Sequence, residues 1–191
     1  MSQKTTIQTF GLFLGLAAIV ALMPFVGSIS QRGSQRNSDS RAGLEVGATL
    51  PSIQEVGWIN GPGPKAEELT GKVVVVSAWR TNCPYCHKGM PALVEAYHRF
   101  RNTDVVFVGM TADGEENLDE INGYIRKYKV EWPNAYGAIK TFVAFKAEYI
   151  PGYWVIGRDG KVVWNKESEG TMEAAIEDAL QATAAPESVD S

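Results

Sequence analysis

The only two cysteines of the chain, Cys83 and Cys86, stand in the stretch Ser77–Pro91, SAWRTNCPYCHKGMP. A pair at this spacing can close a small disulfide and exchange it with a partner's thiols. Read one residue further, to His87, the stretch becomes C-x-x-C-H, the pattern that attaches a c-type haem through two thioethers with the histidine as axial ligand. A third chemistry is a metal centre built on both cysteines and His87, which would need a fourth ligand. A fourth reading is a structurally inert pair.

The surrounding residues weigh these readings. Pro84 suits the first turn of a helix, where a missing N–H costs nothing. Cys83 then falls at the N-cap, where free N–H groups and the helix dipole stabilise a thiolate. Cys86 lies one turn deeper and faces back toward Cys83. Cys83 is the expected exposed nucleophile and Cys86 the resolving thiol. Pro91, inside the same helix, would cost about 3 kcal/mol in an ordinary setting and reads as a kink. A haem would need a second axial ligand. Met90 is too near, and Met110 and Met172 would serve only by accident. For a metal site built on the cysteines and His87 a fourth ligand is needed, and the other histidine, His98, follows Cys86 by twelve residues. The redox pair is favoured, with haem and metal as alternatives.

The elements that position the pair can be read from hydrophobic periodicity. Val73–Ala78 and Val105–Thr111 are continuous apolar, β-branched runs, the pattern of strands buried on both faces. Between them Met90, Leu93, Val94, Tyr97 and Phe100 recur at helical spacing, which predicts a βαβ unit with parallel strands. Leu118, Ile121, Ile125 and Tyr128 mark another helix. Tyr153–Trp164 reads as a hairpin around Asp159-Gly160. Ala175, Ile176, Ala179 and Leu180 line a closing helix with Thr171 as N-cap. A βαβ half followed by a ββα half on a mixed sheet resembles the thioredoxin topology.

The ends of the chain differ from this body. Phe10–Gly27 is an apolar run of 18 residues, and Lys4 is the only charged side chain among residues 1–31. Residues 1–31 are expected to form an N-terminal transmembrane anchor, with a cleaved signal peptide as the alternative. Residues 32–43 read as a polar linker, 44–181 as the folded domain and 182–191 as a flexible tail. Beyond residue 31 the chain carries 17 basic against 22 acidic residues. A mildly acidic body without a basic run gives no nucleic-acid footprint. No internal repeat is present.

The stretch VVVVSAWRTNCPYCHKGMP resembles the active-site segment of thioredoxin-superfamily oxidoreductases, with Trp79 four residues before Cys83 and Pro91 five after Cys86. EELTGKVVVVSAW and GYIRKYKVEWPNAYG are similar to the membrane-anchored TlpA/ResA-like branch, the latter to its central insertion. YIPGYWVIGRDGKVVW is similar to that family's cis-proline hairpin. The resemblance implies an α/β thioredoxin fold, a mixed central sheet flanked by helices. It also implies a cis peptide at Pro151 facing the cysteines, with Ile150 offering backbone hydrogen bonds to an extended partner peptide.

Around the pair, Trp79 is expected to be packing, partner platform or both. Pro84 and Tyr85 lie between the cysteines, and an exposed Tyr85 would touch partners. His87 is read either as a thiolate-stabilising group or as a solvated surface residue. Two positions depart from the family pattern: Ser77 replaces a buried Asp of many thioredoxins, and Gly89 replaces a Glu common in ResA-type proteins. Either carboxylate would move the resolving thiol's proton. The Pro-Tyr inner pair also occurs in glutaredoxins, which are shorter and lack the insertion. The resemblance further implies exchange with exported protein disulfides and thiols at the periplasmic face of a bacterial cytoplasmic membrane. An integral-membrane thiol donor would re-reduce the pair, cytochrome c maturation would be one use, and no cofactor is expected.

Overall fold

The computed structural model describes residues 43–182. The expected anchor, most of the linker and the tail lie outside the described residues; among the described residues no helix is long and apolar enough to cross a membrane. The elements run β1 (Gly57–Ile59), α1 (Ala66–Leu69), β2 (Val73–Trp79), α2 (Pro84–Phe100), β3 (Val105–Thr111), α3 (Leu118–Tyr128), β4 (Asn134–Tyr136), α4 (Ile139–Ala144), β5 (Gly152–Ile156), β6 (Val162–Asn165) and α5 (Met172–Gln181). They form one mixed six-stranded sheet in the order β1-β4-β3-β2-β5-β6. Strands β2, β3 and β4 are mutually parallel, whereas β5 runs antiparallel to β2, β6 to β5 and β1 to β4. The expected βαβ and ββα halves are both present.

Strand β2 explains the architecture. All seven of its residues are buried, because it pairs with β3 along one edge and β5 along the other. Alternate side chains of a strand point to opposite faces, so β2 feeds two cores. Val73, Val75 and Trp79 join the side chains of α2, α3 and α5. Val74, Val76 and Ala78 join Leu44, Ala138, Phe145 and Trp154. Each buried valine or leucine of this kind contributes about 1.5–3 kcal/mol. The two-faced burial is the reason the run carries no polar alternation.

Helix α2 leaves the C-terminal end of β2 and turns Cys86, Met90, Leu93, Ala96 and Phe100 into the first core. It is continuous across Pro91. Elsewhere the turn chemistry acts as expected. Gly160 takes φ +74° in the β5–β6 turn, and the Thr171 hydroxyl accepts from the Ala174 N–H at 3.2 Å to cap α5. Four short elements, β1, α1, β4 and α4, carry no periodicity that would have announced them.

Candidate active site

Cys83 is the N-cap of α2, with extended backbone geometry and Pro84 directly behind it in the first turn. Its sulfur accepts from the Cys86 backbone N–H at 3.1 Å. The two sulfurs are joined in a disulfide whose Cα atoms are 5.2 Å apart. A helix N-terminus presents unpaired N–H groups and a partial positive charge. Negative charge released onto Cys83 by opening this bond is therefore met by a donor already in place.

The two sulfurs are unequal in access, though by less than the sequence suggests. Cys83 is only 7% exposed and Cys86 1%. The expectation of an openly exposed Cys83 is corrected: the Ile150 carbonyl oxygen lies 3.8 Å from its sulfur and closes one side of the approach. Tyr85 is 73% exposed, as expected for the residue between the cysteines. The Ile150–Pro151 peptide is cis, and the Lys166 ammonium donates to the Pro151 carbonyl at 3.2 Å. Of the two residues, it is Ile150 whose carbonyl meets the Cys83 sulfur.

Of the two roles expected of Trp79, the structure shows packing. It is 1% exposed and belongs to the core that holds both cysteines. Its ring stacks on Tyr124 with centroids 4.3 Å apart, and its indole N–H donates to Asn134 Oδ1 at 3.0 Å. The Asn134 amide donates in turn to the Trp132 carbonyl. The Asn134 side chain fits only because its parallel neighbour is Gly109, where a Cβ would collide with the amide.

His87 is half-buried and engaged through both ring nitrogens. Its Nε2 lies 2.8 Å from the Thr81 carbonyl oxygen and its Nδ1 2.9 Å from the Tyr128 hydroxyl. A carbonyl can only accept, so Nε2 donates to Thr81, while the Tyr128 hydroxyl can serve Nδ1 as donor or as acceptor. The ring also tilts against Tyr124, centroids 4.9 Å apart. With both nitrogens engaged, His87 offers no free lone pair to a haem iron, and among the described residues no three of His, Cys, Asp and Glu gather in a metal-binding group.

Sequence reasoning missed the groups that fix the loop before Cys83. Asp113, beyond β3, is 4% exposed. Its carboxylate accepts from Arg80 Nε at 2.8 Å, the Thr81 N–H at 2.8 Å and the Thr81 hydroxyl at 3.0 Å. Burial opposes its ionisation, but the Thr81 and Arg80 donors outweigh burial and hold the carboxyl below the usual carboxylate range. Thr81 is thus held by Asp113 through its N–H and by His87 through its carbonyl. No motif announces Asp113, because only the sheet register brings it to Thr81.

Two further tyrosines line the site. The Tyr153 hydroxyl rests on α2 at Gly89, where a Cβ would lie 2.6 Å from the oxygen. Burial pushes the Tyr153 pKa up to about 12. Tyr124 is raised further, first by burial and then by the neighbouring Tyr153 and Tyr128. Its hydroxyl is buried and has no hydrogen-bond partner among the described residues. The position next to Ile150-Pro151-Gly152 was the one sequence signal that could have drawn attention to Tyr153.

A family model described as Redoxin matches residues 45–181. The chain is similar to the thiol-disulfide oxidoreductase ResA of Bacillus cereus (strain ATCC 10987 / NRS 248), 25% identical over 162 residues, covering 83% of this chain and 90% of that protein. It is also similar to protein DipZ of Mycobacterium tuberculosis (strain CDC 1551 / Oshkosh), 28% identical over 145 residues and 70% of this chain, but it spans only 20% of DipZ. Among solved structures, the thioredoxin domain of a thiol-disulfide oxidoreductase from Bacteroides vulgatus superposes with a TM-score of 0.62 at 18% identity, covering 72% of this chain and 99% of that one. A thiol-disulfide isomerase from Corynebacterium glutamicum gives 0.58 at 22% identity, covering 70% and 97%. The two structures share the fold.

Proposed function

We propose, for a chain that belongs to the Redoxin family, a thiol–disulfide oxidoreductase that works through Cys83 and Cys86. The observation that carries this reading is the Cys83 sulfur at a helix N-cap, accepting the Cys86 N–H at 3.1 Å while bonded to the Cys86 sulfur. The ResA relative, whose name states the same chemistry and 90% of which is covered, supports it.

In the reducing direction the Cys83 thiolate attacks a partner disulfide. A Cys83–partner bond forms, and the partner's other sulfur leaves with the electron pair and takes up a proton. Cys86 then loses its proton and attacks the Cys83 sulfur. The Cys83–partner bond breaks, the second partner sulfur leaves as thiolate, and the disulfide described above is the enzyme's product. Two electrons pass from enzyme to partner, and the oxidising direction is the reverse. Ile150, its carbonyl 3.8 Å from the Cys83 sulfur, would hold the backbone of an extended partner, and the exposed Tyr85 would touch its side chains. Trp79 supports the site from the core.

The finer reading places this chemistry outside the cytoplasm. The apolar run Phe10–Gly27 would anchor the domain in a bacterial cytoplasmic membrane, with exported proteins as clients, cytochrome c precursors among them, and an integral-membrane thiol donor restoring the dithiol. The apolar run itself and the resemblance of GYIRKYKVEWPNAYG to the membrane-anchored TlpA/ResA-like branch support this placement.

Cys86→Ser removes the resolving sulfur. The reduced variant, offered an extract of exported proteins, is expected to accumulate adducts through Cys83 that dithiothreitol releases. A wild-type chain with no reversible dithiol couple, together with a Cys86→Ser variant that traps nothing, overturns the reading. A Soret band on the purified chain would instead establish the haem alternative.

A further inference from the structure

Resolution asks for a negative charge on Cys86, and Cys86 is 1% exposed. A buried charge is costly unless a donor meets it. The Cys86 N–H is directed at the other sulfur. The Asp113 carboxylate is committed to Arg80 and Thr81, and His87 to Thr81 and Tyr128. Lys88 on α2 is exposed, and the Lys166 ammonium is on the Pro151 carbonyl. From α5 the neighbours in this core are apolar: Met172, Ala175, Ile176 and Ala179. From α3 come Tyr124 and Tyr128, the latter engaged with His87.

The Tyr124 and Tyr153 hydroxyls remain as donors in this core. The Tyr124 ring stacks on Trp79 and tilts against His87, and Tyr153 is the one that meets α2 one turn beyond Cys86. Gly89 follows Cys86 by three residues, and side chains at that spacing share a helix face about 5–6 Å apart. The place its side chain would fill holds the Tyr153 hydroxyl, 2.6 Å from the Cβ position. Tyr153 packs against the core cluster that contains both cysteines. It stands on β5, two residues beyond the proline whose neighbour Ile150 meets Cys83.

We propose that Tyr153 is a further catalytic residue of this exchange reaction, its hydroxyl donating a hydrogen bond to the Cys86 sulfur as that sulfur becomes the attacking thiolate. The inference rests on the exchange reading above. With its pKa pushed up to about 12 by burial, Tyr153 keeps its own proton. The Cys86 proton goes to solvent and the Cys86 electron pair to the Cys83 sulfur, so the tyrosine lowers the cost of the charge without taking part in the balance. Gly89 is the residue that leaves the hydroxyl room.

The experiment isolates the second step. Reduced protein is mixed with oxidised glutathione, and the Cys83–glutathione adduct is followed by acid quench and mass spectrometry from pH 5 to 10. A hydrogen bond to a charged acceptor is worth about one pKa unit or more, so Tyr153→Phe should move the midpoint of resolution up by about one unit. Below the midpoint the tenfold loss of thiolate is partly offset by its greater nucleophilicity, leaving resolution roughly threefold to tenfold slower. Alkylation of Cys83 in a Cys86→Ser background should not change. Gly89→Ala, which displaces the hydroxyl but retains it, should give the same direction and covers the case in which Tyr153→Phe folds poorly. Folded variants that resolve the adduct at the wild-type rate with an unmoved midpoint overturn this inference alone. A wild-type protein that forms no Cys83 adduct overturns the exchange reading and this inference with it.

Discussion

The two faces of the sheet solve the same packing problem in different ways. On the face away from the cysteines, the buried polar side chains find partners: the Trp154 indole N–H donates to the Leu44 carbonyl at 3.1 Å, and Thr141 bonds both the N–H and the carbonyl of Gln54. On the cysteine-bearing face, the Tyr124 hydroxyl and the indole N–H groups of Trp132 and Trp164 are buried with none among the described residues. All three belong to the cluster that holds Cys83 and Cys86. Each orphaned group costs about 1–3 kcal/mol. One side of β2 is therefore built for economy, whereas the side that must host a changing charge retains polar groups it does not use for stability. Local rules are commonly broken at functional sites, with compensation elsewhere.

Substitutions can break or sharpen this contrast. The largest effect is expected at Trp154, which has zero exposure and packs edge-on against Phe145 with centroids 5.0 Å apart. Trp154→Ala should lower unfolding stability by about 3–5 kcal/mol in urea titrations. The reduction potential of the protein that remains folded should stay at the wild-type value. A large shift in potential would show that the two faces are not separate in role.

Asp113 comes next. Its depressed pKa means that the stabilisation is present above the unfolded-state value, about 3.9, and is lost as pH falls through the lower folded-state value. Asp113→Asn should cost about 1–3 kcal/mol at neutral pH, since the Arg80 partner is 45% exposed and partly screened. It should also flatten the acid limb of the stability–pH curve below about pH 4. An acid limb that persists unchanged would assign it to other carboxylates. The smallest effect is expected at Tyr124. Removing an unpartnered hydroxyl forfeits no hydrogen bond, so Tyr124→Phe should leave stability within about 1 kcal/mol of wild type or raise it, as thermal unfolding would show. A loss well beyond that would mean the hydroxyl is satisfied in solution and the contrast between the faces is weaker.

Much of this arrangement was legible in the chain because it is local. Val73–Ala78 and Val105–Thr111 are strands by composition, and Cys83-Pro84 specifies its own helix start. Ile150 and Pro151 came from resemblance rather than from spacing. Trp79 reads from sequence as packing, platform or both, because aromatic type alone does not reveal that a strand is covered on both faces. The remainder depends on register. Asp113 reaches Thr81 across 32 positions, and Tyr153 meets Gly89 across 64. No window short enough to show periodicity contains either pair. The three-residue strands β1 and β4 are invisible for a related reason: their stability comes from pairing at the sheet edge, not from their own residues.

The bond from Trp79 to Asn134, with Gly109 beneath the amide, ties together single positions on three neighbouring strands. Evolution cannot vary them one at a time. A methyl group at 109 would evict the amide, and the evicted amide would strand an indole proton under the very base of the cysteine-bearing segment. Relatives that share this device should gain or lose all three residues as a set, so that an alignment would show them inherited together.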